Sequence, residues 1–253
     1  MSNAYSQHSR RPVWAAGFVA VLRRESLGLA NTAIGWLVAA FMLALSSTSF
    51  FWIERFFERD VASLEGYIDI WPALFAFVIP ALTMRSFAEE RSSGMHEILS
   101  VLPVSAGTVV SAKFAALAGF MVATLACATP VAFGVSLLGE LSVSLVVTQF
   151  AALMLLSWCM IAVGLLISAL SPSQLVAYVV TTVVLVTFNF LDLLPPLLGL
   201  GGAATDMART VSLNARYERP AQGLLSIADL AYFGVVVVVF LRATTHAINA
   251  RRY

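Results

Sequence analysis

Leu141 to Leu191 reads LSVSLVVTQFAALMLLSWCMIAVGLLISALSPSQLVAYVVTTVVLVTFNFL, 51 residues without one charged side chain. At about 1.5 Å rise per residue a helix of that length is far too long for one crossing of a ~30 Å hydrocarbon core, so the stretch must fold back on itself. The one polar interruption is Ser171-Pro172-Ser173-Gln174, a turn-forming cluster that puts a fourth span before it and a fifth after it. Working outward, charges mark where other spans end, because an unpaired charge in hydrocarbon is costly. Thr32 to Trp52 is the first span, with Asn31 as a helix cap; Gly66 to Met84 is the second, with Pro72 and Pro80 as kink points. Phe114 to Gly139, bent at Pro130, is the third, and Leu224 to Leu241 is the sixth, with Asp229 near one end. Leu193 to Leu200, with Pro195 and Pro196, reads as a broken or re-entrant end of the fifth. The expected fold is all-α: a polytopic integral membrane protein of six transmembrane helices.

Composition agrees with this reading and excludes several functions. Of the 253 residues 60% are hydrophobic and 11% charged, against roughly 25% charged in soluble domains. With a mean hydropathy of +0.88, the spans leave no room for a soluble catalytic domain. A net charge of +1 argues against a nucleic-acid partner, which needs a basic stripe. Cys127 and Cys159 lie inside apolar runs and receive no role.

Basic residues set the orientation. With the amino terminus inside, ten of the fifteen Lys and Arg residues fall on inner segments and five on outer ones, which favours both termini cytoplasmic in the inner membrane. Residues 192–223 then form an extracytoplasmic loop. Before the first span, Trp14, Phe18, Val21 and Leu22 recur at helical spacing, so residues 13–28 are expected to form an interfacial helix on the inner leaflet of the bilayer.

The longest inner loop, Arg85 to Lys113, carries the most information. On a helix, Met95, Ile98, Leu99 and Leu102 share one face and Glu90, Gly94 and Glu97 another, and Pro103 ends the helix. Such a segment offers an apolar side to a groove and an acidic side to a basic surface.

Three stretches together carry a family likeness. The run Glu-x-x-x-Gly-x-x-Glu-x-Leu-x-x-x-Pro-Val, present as Glu90, Gly94, Glu97, Leu99, Pro103 and Val104, resembles the coupling segment of type-2 ATP-binding-cassette (ABC) transporter permeases. Ser168 to Ala177 is similar to that family's turn between spans four and five. Gly223, Asp229, Tyr232 and Phe233 are similar to the entry to its last span, in the branch that includes gliding-motility permeases. The chain departs from the pattern at Met95 and Gln222. The resemblance implies that residues 1–253 form a single permease domain of an exporter with a cytoplasmic coupling helix within 85–104. It implies docking of an ABC ATPase through Glu89, Glu90, Gly94, Glu97, Ile98, Leu99, Leu102 and Pro103. It further implies two ATPase copies that bind ATP and Mg, a second permease copy, and room for an accessory extracytoplasmic subunit.

No Gly-x-x-x-x-Gly-Lys-Ser/Thr occurs, and the chain's only lysine, Lys113, follows no glycine loop, so no nucleotide cofactor is expected in this polypeptide. A membrane protease would place arginine after the Glu89-Glu90 pair, where Ser93 and Gly94 stand, and His8, His96 and His246 form no zinc motif. A passive scaffold or an ATP-independent carrier is the remaining alternative, although carriers bury ionisable residues near the midplane and these spans have none there. Gln149, Ser157, Thr187 and Asn189 are the polar span residues best suited to a substrate path or to interhelical hydrogen bonds.

Overall fold

The computed structural model describes residues 13–54, 63–92, 105–138 and 142–250; among these the chain is helical and has no strand. Its centre is one helix, α7 (Val143–Leu170) in chain order, which is apolar all round and therefore suited to burial on every side. Leu153, Leu156, Cys159, Met160, Ile161, Ala162 and Leu165 are all fully buried in it.

The other elements wrap this helix. α1 (Val13–Asn31) is followed by α2 (Ala33–Thr48), which ends in a single π-turn at Ser49–Ile53. α3 (Glu65–Asp69), α4 (Trp71–Thr83) and α5 (Arg85–Ser92) succeed one another across breaks at Ile70 and Met84. α6 (Ala106–Ser136) precedes α7, and α8 (Gln174–Asn189) follows it. A short 3-10 turn at Leu191–Leu193 leads to α9 (Leu194–Leu197), α10 (Ala203–Val211), α11 (Leu213–Ala221) and the last helix, α12 (Ile227–Asn249). α4, α5, α6, α8, α11 and α12 all pack on α7, and α1 packs along α6. An edge-to-face series joins Phe50 to Tyr67 at 5.6 Å, Tyr67 to Trp71 at 6.0 Å and Trp71 to Phe75 at 5.7 Å, tying the π-turn to α3 and α4.

Five helical stretches are long and apolar enough to cross a membrane: Gly35–Ile53, Glu65–Ala88, Ala106–Ser136, Val143–Leu170 and Ile227–Asn249. α8 together with Leu191–Leu197, bent by 56°, makes a sixth if the pair is one span. The reversal near Pro172 lies where expected: Ser171 closes α7, and the Ser173 hydroxyl accepts from the Val176 N–H to start α8.

Several boundaries differ, each for a local reason. Asn31 is the last residue of α1 and caps nothing; Thr32 is the N-cap of α2, and its hydroxyl donates back to the Gly28 carbonyl at 2.6 Å. Pro72 is no kink, since it sits in the first turn of α4, where its missing N–H costs nothing. Residues 192–223 are largely helical: Ser212 caps α11, and Gly223 follows that helix at φ +88, a conformation for which glycine is favoured. The last span begins at Ser226 with a capping box to Asp229 and runs on through Arg242. The helix that holds the third span starts earlier than Phe114: Lys113 lies two turns inside α6, which starts at Ala106 behind a Ser105 cap and is roughly 46 Å long, well beyond the hydrocarbon thickness.

Candidate functional site

The polar segment that follows the second span is anchored where it leaves the bundle. α5 continues α4 after the break at Met84, and the first N–H groups of a helix have no acceptor within it. Ser168 of α7 supplies one: its hydroxyl oxygen accepts from the Phe87 N–H at 3.2 Å and the Ala88 N–H at 3.4 Å, while the hydroxyl lies 3.3 Å from the Met84 carbonyl and donates to it. Ser168 is fully buried. One turn earlier on the same face of α7 stands Gly164, where a Cβ would overlap the Thr83 side chain. The glycine lets α4 lie against α7, and the serine then receives the bend.

The opposite side of this root is held by α6. The Lys113 ammonium donates to the Ser86 carbonyl at 2.7 Å and to Glu25 Oε1 of α1 at 2.9 Å, and it lies 5.1 Å from the centre of the Phe87 ring. Its side chain is 3% exposed and that of Glu25 25%. A buried ammonium persists only with partners, and these come from two other helices.

Of the residues expected to couple to an ATPase, Glu89 and Glu90 fall on the second half of α5. Gly94, Glu97, Ile98, Leu99, Leu102 and Pro103 lie outside the described residues. Of the expected path residues, Gln149, Ser157 and Asn189 are buried and Thr187 is exposed. Ser157 spends its hydroxyl on its own helix, donating to the Met154 carbonyl at 2.8 Å. Gln149 Oε1 and both polar atoms of the Asn189 side chain have no partner among the described residues.

At the far end of the bundle, α11 packs on α7 and α8, and α10 packs on the Leu191–Leu193 turn, α9 and α11. The Ser212 hydroxyl lies 2.7 Å from Asp192 Oδ1 and 3.1 Å from the Asn189 carbonyl, and Tyr217 donates to the Ile68 carbonyl at 3.3 Å. Burial, with Asp69 nearby, pushes the Tyr217 phenol well above its ordinary range. Burial also raises the Glu218 carboxyl, aided by Asp192 and Asp69 and opposed by Arg209.

Sequence reasoning missed the contributions of Ser168, Gly164 and Glu25. Ser168 did fall within a stretch already singled out, and Lys113 was visible as the only lysine. Among the described residues no group of His, Cys, Asp and Glu is placed to hold a metal ion.

A comparison with curated proteins returns no match. The family model described as ABC-2 family transporter protein matches residues 43–194. That range takes in α2 from Leu43 onward, the segment after the second span, the central helix α7 and the turn at Pro172, and it stops before α10. More than half of the chain is thereby covered, and together with the apolar helices around α7 this shows that the chain belongs to the ABC-2 family of transporter proteins, as a multi-pass membrane permease of an ABC transporter.

Proposed function

We propose that the chain is the permease subunit of an exporter, working as two copies in the inner membrane with both termini cytoplasmic. Two separate ATPase subunits bind ATP and Mg and drive it. The segment 85–104 is the surface they grip. Glu90 and Glu97, seven residues apart, fall within about 20° of each other on a helix and meet basic side chains of the ATPase, while Ile98, Leu99 and Leu102 fill an apolar groove. The two nucleotide states each favour one permease conformation through differential contacts at that segment.

The observation that carries this reading is the anchoring of α5. A segment that only rested on the bilayer would gain nothing from a root bound on one side by Ser168 of the central helix and on the other by Lys113. A segment that passes on force needs such a root.

The test is Glu90→Arg combined with Glu97→Arg. Reversing both charges sets like against like, which costs several kcal/mol at a desolvated contact and much less at an exposed one. The expected outcome is a permease that still inserts and folds, no longer co-purifies with its ATPase and supports no transport-linked ATP turnover. Unchanged co-purification and turnover would refute the docking role. Purified permease alone is expected to hydrolyse no ATP.

A further inference from the structure

We propose that Lys113 is the positioning residue that makes α1, the root of the segment after the second span, and α6 move as one body. The inference rests on the coupling role proposed above and names the device that passes the motion on. One ammonium bridges three elements: Glu25 Oε1 on α1 at 2.9 Å, the Ser86 carbonyl at the root of α5 at 2.7 Å, and its own helix α6. The Phe87 ring faces the same charge at 5.1 Å. These partners lie 88 and 27 residues away in sequence, so local chain connectivity does not impose the arrangement.

The geometry suits this task. The Lys113 side chain is 3% exposed, and water competes poorly for the hydrogen bonds of its ammonium there. A displacement of α5 therefore drags the ammonium, and the ammonium drags Glu25. α1 gains a direct link to the segment in addition to its packing along α6. Without the charge, α1 still packs along α6 and α5 still packs on α7, and such contacts resist relative sliding of α1 and α5 less than a charged bridge between them does. The device thus acts on relative motion more than on the existence of the fold.

The test is a distance measurement by pulsed electron resonance. Spin labels replace Ala20 on α1 and Ser92 at the end of α5, in a chain with Cys127→Ser and Cys159→Ala, reconstituted in lipid nanodiscs with and without its ATPase, ATP and Mg. With Lys113 the distance should stay narrow and unchanged between nucleotide states. Lys113→Met should broaden it, with a second population displaced by about one helical turn, ~5 Å. Lys113→Arg, which keeps a charge and several donors, should narrow it again. Glu25→Gln, which keeps the shape of the side chain, should broaden it as well and serves if Lys113→Met does not fold. A Lys113→Met permease of lower thermal stability but with wild-type distances would overturn the proposal and leave Lys113 a stabilising residue only. If no ATPase binds even the wild-type chain, the coupling role fails on that ground, while the nanodisc arm without ATPase still reads the junction.

Discussion

Replacing Ser168 by alanine tests the anchored root directly. The substitution deletes one oxygen and opens almost no cavity, so its effect comes from hydrogen bonding. Two N–H groups, those of Phe87 and Ala88, lose their acceptor at 3.2 and 3.4 Å, and the Met84 carbonyl loses a donor at 3.3 Å. Those lengths lie at the long end for N–H to O bonds, so about 1 kcal/mol for each lost acceptor contact is a fair upper figure, about 2 kcal/mol in all. Side-chain hydrogen bonds within membrane proteins average about 0.6 kcal/mol, which gives about 1.2 kcal/mol as the lower figure. Converted at 1.4 kcal/mol per factor of ten, the equilibrium for local opening should rise between about 7-fold and about 27-fold.

Amide exchange followed by mass spectrometry on the permease in nanodiscs reads this quantity, because exchange in a fast-closing segment tracks the population of the open form. The peptide spanning residues 84–92 should exchange faster by that factor in Ser168→Ala. Ser157→Ala is the control, since that hydroxyl is buried on the same helix but donates to its own Met154 carbonyl, and it should leave the 84–92 peptide untouched. Acceleration of less than about twofold in Ser168→Ala, against that window, would show that α5 holds itself without α7 and that the root is not an anchor.

Other perturbations reach different parts of the same logic. Gly164→Ala forces a methyl into the Thr83 side chain and should lower stability by about 1–3 kcal/mol, read as a fall in the thermal unfolding midpoint in detergent; Thr83→Ala in the same chain should recover most of it, and a lack of recovery would break the assigned contact. Glu218 has a folded pKa raised by burial, Asp192 and Asp69. Its contribution to stability is therefore fully present below the ordinary glutamate pKa and is lost as pH rises through the raised value. Glu218→Gln should flatten that part of the pH profile by a small amount, because the carboxyl is only partly shielded and solvent screens it, and an unchanged profile would remove the assigned cause. For orientation, single cysteines in a chain lacking Cys127 and Cys159 should react with an impermeant thiol reagent on intact cells at position 206 and not at position 93. Labelling at 93 from outside would invert the topology.

How far the sequence could be read depended on the range over which its constraints act. The reversal at Ser171-Pro172-Ser173 was legible because an uncharged run of that length has no other way to fit a bilayer, and the cap at Ser173 is decided by neighbours three residues away. The partners of Lys113 were not legible, for the converse reason. The rule that a charge marks the end of a span assumes that the charge would otherwise meet lipid. Here it meets Glu25 and the Ser86 carbonyl, partners that no window along the chain contains. Ser168 shows the same limit from the side of a neutral residue: it stood inside a stretch already recognised, yet its partners are 80, 81 and 84 residues away. The helices Ala203–Val211 and Leu213–Ala221 were not legible, since the prolines and glycines that flank them, Pro195, Pro196, Gly199, Gly201, Gly202 and Gly223, read as loop.

The placement of the two anchors decides how a push on α5 must travel. Ser168 and Gly164 sit one turn apart on α7, which is packed by α4, α6, α8, α11 and α12 as well as by α5. A helix whose spanning window is 67% buried, with Val143 and Val147 of its first turns exposed, has little free surface into which to relax over most of its length, and packed interiors shift between discrete arrangements instead of deforming by degrees. Motion delivered at Ser168 is therefore carried along α7 toward the far end, where α11 packs against it and where Tyr217 ties α11 to the Ile68 carbonyl. Motion delivered at Lys113 takes the other route, to α1 along the side of α6. Loss of Ser168 should consequently disturb the central helix and α11 packed against it, whereas loss of Lys113 should disturb α1 first, so the two substitutions separate the routes.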